Sequence, residues 1–157
     1  MTTIAGIDQS LTSTGIVIVD KGSTVAHKVI ETKPCSSDPL DAYQRVSRIV
    51  EAVLAMVASH GVTVVRIEGL SFASTGRATR TLAGLHHVIV HELLAHGVDV
   101  EVIAPTSLKK RATGSGRASK EDMVAACDAT FRAVLAAVPK SRGKYDLADA
   151  FHLAHMK

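Results

Sequence analysis

The sequence predicts an α/β fold in which one mixed sheet of five strands carries helices on both faces. The chain opens with three short segments rich in β-branched residues, which indicates three antiparallel strands. Two later apolar segments alternate with long amphipathic segments, which is the pattern of βαβ crossovers. With 157 residues, 46% of them hydrophobic, the chain is expected to form a single domain over residues 1–157 with a sizeable core.

The antiparallel part of the predicted sheet occupies the first 32 residues. Residues 3–7 are largely apolar, as in a buried strand, and Asp8 follows them directly. Residues 15–19 are rich in β-branched side chains, and the Asp-Lys-Gly-Ser turn at residues 20–23 indicates a hairpin. Residues 25–32 are therefore predicted to be the returning strand.

Helices and two further strands alternate through the rest of the chain. A helix is predicted over about residues 39–59, with Asp38 as its N-cap and Pro39 at its first position. The residues predicted to face inward on it are Leu40, Tyr43, Val46, Val50, Val53, Leu54 and Val57. Strands over 62–67 and 98–104 flank a second helix over about 77–96. The residues predicted to face inward on this second helix are Leu82, Leu85, Val88, Ile89 and Leu93.

Two helices are predicted to end the chain. Ser119 and Asp122 form a capping-box-like start for a helix over about 120–138. The last helix runs from Tyr145 onward. His152 lies one turn after Asp149 on this helix, where a solvated histidine is expected.

Four acidic side chains are predicted to converge at one edge of the sheet. Asp8 and Glu68 each end a strand, and the two strands are expected to be neighbours. Asp146 and Asp149 are three residues apart on a helix and project from one side of it. Since like charges held this close repel each other, a bound cation is the usual reason for such a pair. The alternative is that these are N-cap or solvated acids, which suits Asp146 but not the acids that end apolar strands.

Carboxylates without cysteines or clustered histidines are the ligands that Mg²⁺ prefers. Two Mg²⁺ ions about 4 Å apart can activate water and stabilise the leaving oxygen during phosphodiester hydrolysis. We therefore predict a site for two Mg²⁺ ions, with Mn²⁺ as a substitute and Asp8 as the bridging ligand.

Positive charge is concentrated in the middle of the chain. The net charge of +3 and the pI of about 9.0 are compatible with a polyanionic partner. Residues 109–120 contain five cations, two glycines and no acid. Residues expected to contact the phosphates of such a partner are Lys109, Lys110, Arg111, Gly114, Gly116, Arg117 and Lys120, with Arg77 and Arg80 extending the patch. The alternative is an ordinary solvated basic loop.

Several classes of function are disfavoured by the sequence. Cys35 and Cys127 are 92 positions apart, without a metal-ligand or redox spacing. No segment approaches the roughly 18 consecutive apolar residues of a membrane span. The first residues lack the pattern of a signal peptide. A cytoplasmic protein is expected.

Four motifs in order resemble the RuvC-type Holliday junction resolvases, within the ribonuclease H-like superfamily, over essentially the whole chain. They are Ile4-Ala5-Gly6-Ile7-Asp8 with Thr14-Gly15, residues 67–72, the glycine-rich basic segment within residues 104–120, and residues 146–150. The resemblance implies the same four acidic ligands and particular roles for Lys109 and Lys120 at the scissile phosphate. It also implies that Phe72 inserts at the junction centre, with a core position as the alternative. One departure is Gln9-Ser10-Leu11, where the family commonly has proline and glycine.

We therefore expect a metal-dependent endodeoxyribonuclease that cuts four-way junctions in DNA recombination and repair. Cutting a two-fold junction symmetrically needs two sites, so a homodimer is expected, with the helix over 77–96 as its interface. A branch-migration helicase is a further candidate partner. The alternatives are a nuclease for forks, flaps or RNA–DNA hybrids, an actin-like phosphotransferase suggested by Gly6-Ile7-Asp8 and Gly15, and a module that binds junctions without cutting.

Overall fold

A five-stranded sheet forms the centre of the computed structural model, which describes residues 2–71 and 75–157. The strands are β1 (Ile4–Asp8), β2 (Ser13–Asp20), β3 (Ser23–Glu31), β4 (Val64–Glu68) and β5 (Asp99–Ile103). Their order in the sheet is β3-β2-β1-β4-β5. The first three strands pair antiparallel, and β4 lies parallel to both β1 and β5. The prediction of a mixed sheet with three antiparallel strands and two crossovers is confirmed.

The helices occupy both faces of this sheet. They are α1 (Leu40–Ser59), α2 (Arg77–Ala95), α3 (Pro105–Thr113), α4 (Lys120–Ala125), α5 (Ala129–Ala136) and α6 (Lys144–His155), with a 3₁₀ turn at Lys140–Arg142. The predicted N-cap is one residue too early, since α1 begins at Leu40 and Pro39 is its N-cap. Asp38 still contributes, because its Oδ1 accepts a hydrogen bond from the Leu40 N–H at 2.8 Å.

Two helical predictions need correction. Residues 105–113 form α3, where no helix is predicted. Pro105 follows the N-cap Ala104 and occupies the first helical position, which its fixed φ suits. The helix predicted over 120–138 is two helices. Asp128 has an extended backbone and accepts a 2.7 Å hydrogen bond from the Phe131 N–H, so it caps α5 and separates it from α4.

One face of the sheet is covered by α1 and α2 through large apolar side chains. Inward residues of β1, β2 and β4 meet Ile49 and Val53 of α1 and Leu85, Ile89 and Leu93 of α2. The predicted inward positions Leu40, Tyr43 and Val88 are wrong, since these side chains are 59%, 70% and 39% exposed.

Two buried polar residues determine which side of α1 faces the protein. Arg45 donates hydrogen bonds to the Thr32 hydroxyl at 2.9 Å and the Leu11 carbonyl at 3.0 Å. Asp41 accepts from the Cys35 N–H at 3.1 Å. These contacts turn Asp41 and Arg45 toward the protein and leave Leu40 and Tyr43 outward.

The other face is covered mainly by α6, which crosses β1 and β2 at backbone distance. A Cβ added at Gly6 would overlap the Ala150 carbonyl oxygen. One added at Gly15 would lie 2.5 Å from the Asp146 carbonyl oxygen. Two glycines therefore permit the close approach of this helix.

The solvated position expected for His152 is wrong. The side chain is 8% exposed, and its Nε2 lies 2.7 Å from the Met123 carbonyl oxygen. The reason is tertiary, since α4 packs over this side of α6 and supplies the hydrogen-bond partner.

Candidate metal centre and its basic rim

Asp8 and Glu68 end two parallel neighbouring strands at the same edge of the sheet. Ile7 of β1 pairs with Ile67 of β4, so the next residue of each strand carries a carboxylate. Ile7 and Ile67 fill the core on the α1 and α2 face. Because side chains alternate along a strand, Asp8 and Glu68 project toward the face covered by α6.

The helix α6 brings a third carboxylate into this cluster. Oxygen atoms of Asp8, Glu68 and Asp149 all lie within 4.8 Å of one another. Asp146 lies at the margin of the cluster, where its Oδ2 accepts a 2.6 Å hydrogen bond from the Ser13 hydroxyl. The structure therefore brings the four predicted acids to one place, with three of them in the closest group.

Burial and mutual repulsion raise the pKa of the clustered acids. Desolvation, followed by the charges of Glu68, Asp149 and Asp146, raises the pKa of Asp8 well above its usual range. Desolvation also raises the pKa of Glu68, although a hydrogen bond with Asp8 opposes this rise. Burial and the charges of Glu68 and Asp146 raise the pKa of Asp149 from 3.8 to about 7. A divalent cation would relieve this repulsion, and its hard-ligand preference fits the carboxylate oxygens present.

The segment after Asp8 is held by Gln9 and Thr14, and Asp146 is held by Ser13; none of these three residues is among the predicted site residues. The Gln9 side chain is 6% exposed, and its Nε2 donates a 2.9 Å hydrogen bond to the Glu68 carbonyl oxygen. This bond links the ends of β1 and β4. The Thr14 hydroxyl donates to the Ser10 carbonyl oxygen at 2.7 Å and closes the following loop. The sequence signal for Gln9 was a polar residue directly after the strand, whereas Ser13 had none, because Asp146 is 133 positions away.

Two of the predicted DNA-contacting cations lie beside the acidic cluster. Lys109 is half-buried on α3, and its charge lowers the pKa of Glu68 and Asp149 against the effect of burial. Lys120 is the first residue of α4, and its charge lowers the pKa of Asp146 and Asp149 against the effect of burial. These two lysines form the basic rim of the site.

The other predicted DNA-contacting residues lie farther along the surface or have structural partners. Lys110, Arg117, Arg77 and Arg80 are exposed, the last two in the first turn of α2. The Arg111 guanidinium donates a 3.0 Å hydrogen bond to the Lys157 carbonyl oxygen near the end of the chain.

Glycines in the basic segment have local roles. Gly114 has φ +85° and ends α3 with an N–H donated to the Lys110 carbonyl oxygen at 2.8 Å. A Cβ at Gly116 would lie 3.4 Å from the Thr106 carbonyl oxygen. Phe72, the predicted junction wedge, lies outside the described residues.

Comparison with known proteins identifies consistent relatives. A family model described as crossover junction endodeoxyribonuclease RuvC matches residues 4–156. The RuvC of Rhodococcus jostii is 31% identical over 153 residues, which cover 96% of this chain and 78% of the relative. The RuvC of Corynebacterium diphtheriae is 31% identical over 156 residues, which cover 95% and 89%.

Solved structures confirm the predicted fold class. The structure of Thermus thermophilus RuvC superposes with a TM-score of 0.72 at 24% identity, covering 98% of this chain and 92% of that one. The same protein in complex with Holliday junction substrate gives a TM-score of 0.76 at 24% identity, with 99% and 92% covered. The yeast mitochondrial Holliday junction resolvase Ydc2 gives 0.69 at 13% identity, with 98% and 76% covered.

Proposed function

The chain belongs to the RuvC family of crossover junction endodeoxyribonucleases, and from that premise we propose that Asp8, Glu68, Asp146 and Asp149 are the metal ligands with which it cuts four-way DNA junctions. The family predicted from the four motifs is confirmed, and with it the enzyme class of a hydrolase acting on DNA. The ligand set, the metal and the roles of the cations are our proposals.

The observation that carries the proposal is the cluster of Asp8, Glu68 and Asp149. Three carboxylates within 4.8 Å, with raised pKa values, are costly in a folded protein unless a cation is bound. Asp8, Glu68 and Asp149 would hold the metal and Asp146 lies beside them, while the bridging role of Asp8 stays a prediction. Carboxylate ligands favour Mg²⁺, with Mn²⁺ as a substitute.

In this mechanism the protein positions the DNA and its own charges. Metal ions held by these acids would supply Lewis acidity at the phosphate and lower the pKa of an attacking water. Lys109 and Lys120 bind oxygens of the scissile phosphate, where negative charge develops in the transition state. The Ser13 and Gln9 hydrogen bonds hold the Asp146 side chain and the Glu68 backbone, so these groups need little reorganisation.

We propose that the exposed cations guide the duplex arms toward this centre. Lys110, Arg117, Arg77 and Arg80 are exposed and contact phosphates without reading sequence. Arg111, Gly114 and Gly116 adjoin them on α3 and the loop that follows. Binding is therefore expected to weaken steeply with salt.

We also propose a homodimer, because a two-fold junction needs two active sites. The apolar side chains Leu40, Tyr43 and Val88 are exposed on α1 and α2. A groove of about 410 Å³ lies between these helices and includes Tyr43 and Val88 in its lining.

Within the described residues, no helix has the length and apolar character needed to cross a bilayer. A cytoplasmic location and a helicase partner remain predictions.

The test is cleavage of a labelled synthetic four-way junction beside linear duplex, fork, flap and RNA–DNA hybrid. We expect paired nicks in the junction with Mg²⁺ or Mn²⁺ and none with EDTA. Asp8→Asn should abolish them. Asp99→Asn is the matched control, since Asp99 is an exposed acid at the opposite, amino end of a parallel strand. Cutting that survives Asp8→Asn would overturn the metal site, and equal cutting of linear duplex would overturn junction selectivity.

A further inference from the structure

An aromatic ring lies beside the rim lysine that starts α4. The Lys120 Nζ is 5.3 Å from the centroid of the Tyr145 ring, within the distance of about 6 Å at which a cation and an aromatic face attract each other. Tyr145 immediately precedes Asp146 on α6. The helix that carries two of the four acids therefore also presents an aromatic ring to Lys120.

The ring is itself held by charged neighbours. The Tyr145 hydroxyl donates a 2.6 Å hydrogen bond to Glu121 Oε1. The Lys140 Nζ lies 3.4 Å from the same oxygen and 5.8 Å from the ring centroid. We call Lys120, Glu121, Lys140 and Tyr145 the tyrosine network.

This arrangement also limits the alternatives open to Lys120. Glu121 is the next residue along the chain and would be a competing partner for a flexible ammonium group. Its Oε1 is instead bound by Tyr145 and Lys140. An exposed lysine has many rotamers and its four-carbon stem is flexible, so an aromatic face on one side reduces the positions that its charge samples.

We propose that Tyr145 is a positioning residue that holds the Lys120 ammonium group against the metal centre through its ring face. This inference rests on the proposed function, in which Lys120 binds the scissile phosphate. Tyr145 itself touches neither phosphate nor metal. Tyr145 and Asp146 are adjacent on one helix. When α6 packs against the sheet, it therefore places both the Asp146 carboxylate and the ring that contacts Lys120.

The first test measures single-turnover cleavage of a pre-bound junction. Tyr145→Leu removes the ring face, and we expect the cleavage rate to fall about threefold to tenfold. Junction affinity without divalent cation should stay within about twofold, because the ring acts on one charge of many. Tyr145→Phe keeps the ring and should retain most of the rate.

A double-mutant cycle asks whether the ring acts through the lysine. Lys120→Met should lower the rate at least as much as Tyr145→Leu, and adding Tyr145→Leu to Lys120→Met should cause no further loss. An equal loss in both backgrounds would overturn the proposal, as would an unchanged rate for Tyr145→Leu. A Tyr145→Phe rate as low as that of Tyr145→Leu would also overturn it, since the hydroxyl and not the ring would then matter.

A spectroscopic measurement tests the contact without catalysis. The ε-methylene protons of Lys120, assigned by their disappearance in Lys120→Arg, should be shifted upfield by the ring in the full-length protein. The shift should persist in Tyr145→Phe and vanish in Tyr145→Leu. An unshifted resonance in the unsubstituted protein would overturn the proposal even if Tyr145→Leu were too unstable to assay.

The outcomes separate this inference from the proposed function. A protein that cuts no junction contradicts the function, while the upfield shift still reports the contact. A protein that cuts junctions at the same rate with Lys120→Met contradicts the role of Tyr145 and leaves the metal site intact.

Discussion

On one face of the sheet α1 and α2 pack through large aliphatic side chains, whereas on the other α6 lies against strands with no side chain at two positions. Leu85, Ile89 and Leu93 fill the first interface. Gly6 and Gly15 open the second, where backbone meets backbone. Side chains in the first interface can shift to absorb a change in volume, but two backbones in contact cannot. The face that carries the acidic cluster is therefore the less tolerant one.

This difference has a functional consequence. Gly15 faces the carbonyl oxygen of Asp146, and Gly6 faces that of Ala150, the residue after Asp149. The close approach of α6 thus sets the distance between its own carboxylates and those of Asp8 and Glu68. On the other face a comparable movement of α2 would change stability without moving an acid.

The largest expected effect comes from Gly15→Ala. Its Cβ would lie 2.5 Å from the Asp146 carbonyl oxygen, so α6 must move away from the sheet. We expect cleavage to fall by about a hundredfold or more and Mn²⁺ binding by calorimetry to weaken, because a 1 Å misplacement is enough for such a loss. Gly84→Ala is the control for an added methyl group in open space on α2, and it should leave Mn²⁺ binding unchanged while adding about 1 kcal/mol of stability. Unchanged cleavage by Gly15→Ala would show that the α6 face tolerates added volume as well as the α1 and α2 face does.

The next effect is on stability alone. Leu85 is fully buried on the α2 face, so Leu85→Ala should lower the free energy of unfolding by about 2–5 kcal/mol in urea titrations. Its cleavage rate, measured well below the melting temperature, should stay within about twofold, because Asp8, Glu68, Asp146 and Asp149 all lie on the opposite, α6 side of the sheet. Leu94→Ala, at an exposed position on the same helix, should change stability by less than about 0.5 kcal/mol. A large loss of cleavage in Leu85→Ala would show that the two faces are not independent.

A third prediction concerns pH and the metal-free protein. Asp149 has a pKa of about 7 in the folded state against 3.8 ordinarily, so the folded protein binds a proton that the unfolded chain has lost between these values. The free energy of unfolding in EDTA should therefore fall as pH rises from about 4 to 7. Asp149→Asn stays neutral and should be more stable than the unsubstituted protein by about 4 kcal/mol at pH 8 while losing cleavage.

The corresponding control is the exposed acid Asp99. Asp99→Asn should leave the difference between unfolding at pH 5 and pH 8 unchanged. If Asp149→Asn were less stable than the unsubstituted protein at pH 8, then the Asp149 carboxylate would not be under electrostatic strain.

The smallest effect on cleavage is expected from Ser13→Ala, which removes a contact with the Asp146 side chain but adds no atom that would push α6 away. Ser13→Ala removes the 2.6 Å hydrogen bond to Asp146. We expect about a fivefold to tenfold loss of cleavage rate, equivalent to about 1–1.4 kcal/mol, which is the net contribution of a typical hydrogen bond. Ser47→Ala, an exposed helical hydroxyl bonded to the Tyr43 carbonyl oxygen, should leave the rate unchanged. A loss as large as that of Gly15→Ala would mean that Ser13 positions the helix and not only the side chain.

Several helical details could not be predicted because their signals were weak or ambiguous. The helix α3 buries Leu108 as its one buried residue and carries three consecutive cations, so it lacks apolar periodicity. The break between α4 and α5 depends on Asp128, whose capping role is hidden in a segment that reads as one amphipathic helix. The inward turn of Asp41 and Arg45 requires partners that lie before α1 in the chain.

The mixed sheet and the acids that end its neighbouring strands β1 and β4 were predictable from the sequence, because strand alternation and crossover connections follow local and geometric rules. The sequence also determined that Asp146 and Asp149 share one side of a helix. Only the tertiary structure decided how closely that helix approaches, through Gly6 and Gly15, and which hydroxyl and ring support the site. Ser13 meets Asp146 across 133 positions and Tyr145 meets Lys120 across 25, and no short-range pattern encodes contacts between elements that pack only after the chain has folded.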